Sequence, residues 1–160
     1  AWNTSVPTYR YSVDSREGGE IIIKAGTFKT KNGSINVSEN SSLIIEGGNF
    51  EFVNDNGGTR HFAYVSGNLT INDGEFYGKA NSAAGGCFFC GAATDCNIQI
   101  NGGKFTSLWT TGSANKIFEV YYGGTIKVTG GLFNDNRGIE SFVEANTEDA
   151  TKAAYPYKAK

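Results

Sequence analysis

Five times along the chain an aliphatic pair two residues apart is followed, five residues later, by a phenylalanine. The copies read EIIIKAGTF at 20–28, SLIIEGGNF at 42–50, NLTINDGEF at 68–76, NIQINGGKF at 97–105 and TIKVTGGLF at 125–133. Apolar residues alternating with polar ones predict a short strand with one buried face. A unit this short cannot bury that face alone and must stack on its neighbours. Each interval also holds a further apolar run: Ile35 and Val37, Phe62 and Tyr64, Phe88 and Cys90, Phe118 and Val120. Motif strand, phenylalanine strand and this third strand predict an all-β parallel solenoid of five to six coils, three short strands per coil, with terminal caps. Spacings between the phenylalanines are uneven: 22 (28 to 50), 26 (50 to 76), 29 (76 to 105) and 28 (105 to 133). Insertions therefore belong in outer turns, where added length costs little.

Between the two strands of each motif the chain must bend sharply enough to return the phenylalanine to the same core. Glycine reaches the positive φ that such a bend needs. Ala25-Gly26 and Asp73-Gly74 keep only the second glycine, which marks that position as the demanding one. Phe28, Phe50, Phe76, Phe105 and Phe133 are then expected as a ladder at about the 4.8 Å interstrand spacing, stacked and offset. Phe133, nearer an end, is expected to be less confined than Phe76. On the outside, Lys24 falls over Glu46 and Lys29 over Glu51, as cross-strand pairing favours.

The repeat resembles that of right-handed parallel β-helices, the pectate-lyase-like architecture, and especially the short L-x-I-x-G-G-x-F repeats of bacterial cell-surface proteins. The resemblance spans roughly residues 20–143. It implies a right-handed coil, which periodicity alone does not give, and it is specific for fold rather than activity. For catalytic members it implies a basic residue that abstracts a proton beside carboxylate-bound calcium. Arg60, Asp55 and Asp73 are the only grouping here that can be cast that way, and no motif maps onto them residue by residue.

Residues 1–19 carry no repeat and read as a leader or N-terminal cap, with Tyr9, Tyr11 and Val13 alternating like a lone strand. Residues 20–143 form the β-helix, with Ile139 to Val143 as a candidate last strand. Residues 144–160 form a C-terminal cap or tail, in which Glu144 to Ala154 has helix-forming composition and Tyr155-Pro156-Tyr157 follows. An open solenoid end is a template for another strand, so end-to-end self-association into a filament is expected to compete with capping. Deleting residues 1–19 is then expected to change assembly rather than folding of the coils.

Composition narrows the partners. A formal charge of −2 with 19% charged residues, both signs interspersed, lacks the basic face a nucleic-acid binder needs. No apolar run approaches membrane-spanning length, so no membrane insertion is expected. Twenty-two glycines and only two prolines fit many tight turns between short strands. The chain holds no methionine and opens Ala-Trp-Asn, which fits a mature exported chain or an excised piece.

Candidate chemistry is sparse. Cys87, Cys90 and Cys96 with the single His61 make a poor zinc set, and no metal or other cofactor is expected. A disulfide from Cys96 to Cys87 or Cys90 is the expected use in an oxidising compartment. Cys90 is expected as a small buried hydrophobe if it follows an inward-facing Phe88. His61 reads as a surface or packing residue. Paired carboxylates for glycoside hydrolysis do not line up, because Lys104 falls over Glu75. Tyr77, Trp109, Tyr121 and Tyr122 occupy outer or turn positions where they either stack on sugars or pack between turns. Five N-x-S/T triplets, at Asn3, Asn32, Asn36, Asn40 and Asn68, gain meaning only in a eukaryotic source. The expectation is a non-enzymatic extracellular or cell-surface solenoid for adhesion or structure. The alternative is a carbohydrate-binding or polysaccharide-degrading module, with a glycan as partner.

Overall fold

The computed structural model describes residues 10–31, 33–54, 61–80, 87–91, 93–108, 116–120 and 123–160. The chain is all β. The first coil comprises β1 (Arg10–Ser15), β2 (Glu20–Ile23) and β3 (Thr27–Lys31), and the second β4 (Gly33–Val37), β5 (Ser42–Ile45) and β6 (Asn49–Asn54). The third comprises β7 (Ala63–Val65), β8 (Asn68–Ile71) and β9 (Glu75–Ala80), and the fourth β10 (Cys87–Gly91), β11 (Asn97–Ile100) and β12 (Lys104–Ser107). The last has β13 (Lys116–Val120), β14 (Thr125–Val128) and β15 (Leu132–Phe133), followed by β16 (Val143–Ala145) and β17 (Tyr157–Ala159).

Strands from successive coils stack in parallel into three sheets, ordered β1-β4-β7-β10-β13, β2-β5-β8-β11-β14 and β3-β6-β9-β12-β15. The motif sets the register: Ile21, Leu43, Leu69, Ile98 and Ile126 pair in one row, and the five phenylalanines in another. The rings of Phe28, Phe50, Phe76, Phe105 and Phe133 stack with centroids 4.8–4.9 Å apart and planes within 9° of parallel. This is the expected ladder. Phe62 and Phe89 meet it edge-on, Phe62 to Phe76 at 5.8 Å and Phe89 to Phe105 at 5.8 Å, which suits the positive ring edge against the negative face.

Both glycines of the bend matter, for different reasons. The second, at 26, 48, 74, 103 and 131, takes φ between +102° and +134°, as the sequence indicated. Where the first is also glycine it is a point of close approach. A Cβ on Gly102 or Gly130 would stand 2.3 or 1.9 Å from the carbonyl oxygen of Asn72 or Asn101 in the coil below.

Several expectations are corrected. Arg10–Ser15 is not a lone strand but the first member of its sheet, paired with β4. In β7 the inward side chains are Ala63 and Val65, while Tyr64 is 40% exposed; Phe62 is buried at the corner before the strand and fills the space a larger strand residue would need. In β10 Phe89 is buried and its backbone pairs with Ala63, while the side chains of Phe88 and Cys90, the residues expected inside, lie outside the described residues. Ile139 to Val143 does not form a third strand; it turns, and only Val143 enters β16. No helix forms over 144–154. Instead β17 lies antiparallel between β15 and β16, and β16 becomes the outer strand of the third sheet. Phe133 is consequently fully buried, and Phe28 is the half-exposed rung.

Candidate functional site

The third sheet presents two outer rows because alternate residues of each strand face away from the core. Thr27, Asn49, Glu75 and Lys104 align in one row; Lys29, Glu51, Tyr77 and Thr106 align in the other. Lys29 Nζ lies 2.8 Å from Glu51 Oε2, and Lys104 Nζ 3.0 Å from Glu75 Oε1. The hydrogen bond from each lysine to its glutamate, with the attraction between the charges, raises the lysine pKa. The Lys29–Glu51 pairing expected from the register is therefore present. No ion pair joins Lys24 to Glu46.

These rows floor an open trough of about 490 Å³, lined by Thr27, Lys29, Asn49, Glu51, Glu75, Tyr77, Thr106 and Tyr155. That volume lies within the ~300–1,000 Å³ typical of small-molecule sites. A second trough, about 480 Å³, runs along the glycine corner beside it and shares Asn49 and Glu75. The corner is hollow because Gly26, Gly47, Gly48 and Gly74 carry no side chains to fill it.

Tyr155 comes from the C-terminal segment and is fixed by Asn146, a buried amide that sequence reasoning passed over. Asn146 donates its backbone N–H to Pro156 O (2.8 Å) and its Nδ2 to Tyr155 O (2.8 Å) and Thr151 Oγ1 (2.9 Å). Its Oδ1 accepts from the Glu148 N–H at 3.1 Å. This hub uses the amide's two donors and its acceptor. It holds 146–156 as a compact loop where a helix was expected.

Of the expected sugar-stacking residues, Tyr77 lies in the trough, 36% exposed. Trp109, Tyr121 and Tyr122 lie outside the described residues, as do Asp55 and Arg60. Asp73 turns its carboxylate to its own bend, Oδ1 accepting from the Gly74 N–H at 2.8 Å. His61 is half-buried, its ring 6.2 Å from that of Tyr64.

Cys96 carries a free thiol and is 1% exposed, and the side chains of Cys87 and Cys90, its expected disulfide partners, lie outside the described residues. Its sulfur occupies a niche that two glycines leave open. A Cβ on Gly124 or Gly91 would stand 2.1 or 2.8 Å from Cys96 Sγ. The sulfur thus fills core volume.

The chain matches no known family model, no curated protein and no solved structure.

Proposed function

We propose that this chain is a non-enzymatic adhesion module of an extracellular or cell-surface protein, and that it docks an extended saccharide chain along the outer face of the third sheet. The observation that carries the reading is the trough itself. Two tyrosines, Tyr77 on the strand and Tyr155 on the C-terminal loop, flank a floor of amide, hydroxyl, carboxylate and ammonium groups. Aromatic faces suit the apolar face of a pyranose ring, and the polar groups suit its hydroxyls. The continuous stack of sheets makes that floor stiff, which limits the ordering cost on binding.

The carboxylates favour binding over cleavage. A general acid for glycoside hydrolysis needs a carboxyl that holds its proton near neutral pH, as burial away from positive charge achieves. Glu51 and Glu75 instead each hold a lysine ammonium at hydrogen-bond distance, so neither carboxyl is aimed free at a glycosidic oxygen. We read the solenoid as right-handed and pectate-lyase-like on the strength of its repeat, with its surface setting drawn from the same resemblance.

A glycan array combined with an assay for released reducing or unsaturated ends tests this. Binding to a linear glycan without product is expected. Product release, or an array with no binder, contradicts the reading.

A further inference from the structure

The two ends of the solenoid are unlike. At the C-terminal end β17 pairs with β15, Tyr157 stands opposite Phe133, and Ile139 and Val143 join the same buried cluster. At the N-terminal end β1, β2 and β3 are the outermost strands of their sheets among the described residues. The apolar residues there, Val13, Ile21 and Phe28, are only half-buried.

The open edge of β2 has a particular order. Ser42 donates to Gly19 O at 2.9 Å and Glu46 to Ile23 O at 2.7 Å, so the odd-numbered carbonyls face β5. Strand alternation then turns the N–H and C=O of Glu20, Ile22 and Lys24 to the open side. The side chains of these three residues are exposed, and Ile22, at 46%, is the most exposed large apolar side chain among the described residues. Neither Glu20 nor Lys24 has an ion-pair partner among the described residues.

We propose that this edge pairs antiparallel with the same edge of a second copy, about a two-fold axis through Ile22, giving a closed end-to-end dimer. The sequence Glu20-Ile21-Ile22-Ile23-Lys24 is self-complementary in that register. Ile22 of each copy donates its N–H to the Ile22 carbonyl of the other. Glu20 lies opposite Lys24 of the second copy, twice by symmetry, and Ile21 lies opposite Ile23. Sliding by two residues keeps the hydrogen-bond parity but sets Glu20 opposite Ile22 and leaves both charges unmatched. The same axis brings β3 against β1 of the second copy and covers Val13 and Phe28. A two-fold contact of this kind closes on itself, so it stops at two copies. The far end differs, since β17 and β16 lie over β15 there while β13 and β14 are outermost in their own sheets among the described residues, so the pairing uses the N-terminal edge alone.

Sedimentation velocity of the 160-residue chain over a wide concentration range tests the proposal, with circular dichroism to confirm that each variant is folded. A reversible dimer that grows no further is expected. Glu20→Lys sets like charges together at both pairs and should weaken dimerisation at least about tenfold. Adding Lys24→Glu to it should restore the dimer. Ile22→Pro removes only an edge-facing N–H, a change edge strands tolerate, and should give a folded monomer. Ile22→Cys should cross-link to itself on oxidation, because directly opposed hydrogen-bonded residues sit about 5.5 Å apart at Cα, within disulfide reach. A wild-type chain that stays monomeric at every concentration means its own chain covers the edge, and overturns the proposal. So does growth beyond two copies, or a double swap that fails to restore pairing.

Discussion

Phe76 lies 4.8 Å from Phe105, ring centre to ring centre, with the planes 7° from parallel, and it contacts Phe50 in the same way on its other face. Phe28, at the N-terminal end, has one such neighbour, Phe50. Replacing Phe76 by alanine removes a fully enclosed ring and should cost ~3–5 kcal/mol of stability. Phe133→Ala should cost about as much, because β17 and the tail bury that ring completely. Phe28→Ala should cost clearly less. Urea unfolding of the three variants checks the order; equal losses below ~1 kcal/mol would mean the rings share no core.

Cys96 should resist thiol reagents while the protein is folded, since its sulfur is enclosed between Gly91 and Gly124. Labelling followed by peptide mapping should find Cys96 modified only after unfolding. Gly124→Ala, which drives a methyl group into that sulfur, should lower stability by ~1–3 kcal/mol. Rapid native labelling at Cys96 would contradict the packing described.

Asp135 and Arg137 form the charge pair most relevant to acid stability. Partial burial pushes the Asp135 carboxyl up, but hydrogen bonds from the Arg137 side chain and backbone, with its charge, hold it below the usual carboxylate value overall. A depressed folded pKa means the contribution is present above the unfolded value, about 3.9, and is lost as pH falls through the folded one. The pair also anchors the tail, because Arg137 O accepts the Ile117 N–H near the start of β13. Asp135→Asn should therefore lower the melting temperature at pH 7 and change it little at pH 2. An equal loss at both pH values would show that charge plays no part.

What the sequence discloses here follows from how tightly each position is constrained. The aliphatic pair, the second glycine and the ladder phenylalanine recur at fixed offsets because every coil places them on the same core wall, so they were legible. The third strand was legible as an element, and Ile35 and Val37 of β4 are buried, but its register was missed at β7 because HFAYV is apolar on both faces. The large rings suggested Phe62 and Tyr64 inside, but Phe62 fills the corner and only Ala63 and Val65 fit behind it. The tail misled for another reason: helix-forming composition over about ten residues is marginal by itself. Asn146 supplies local hydrogen bonds that favour a loop. Half of the trough was legible, since Tyr77 falls on an outward row. Tyr155 was not, because its place depends on an antiparallel return that no repeat announces.

The most direct test of the proposed saccharide trough is a calorimetric titration of the preferred array glycan into the wild-type chain, Tyr77→Ala, Tyr155→Ala and Tyr64→Ala. Tyr64 is a control, an exposed tyrosine on the first sheet. The account predicts about tenfold weaker binding, or ~1.4 kcal/mol, for each trough variant and an unchanged affinity for Tyr64→Ala. Unchanged affinity in both trough variants, or an equal loss in the control, would contradict it.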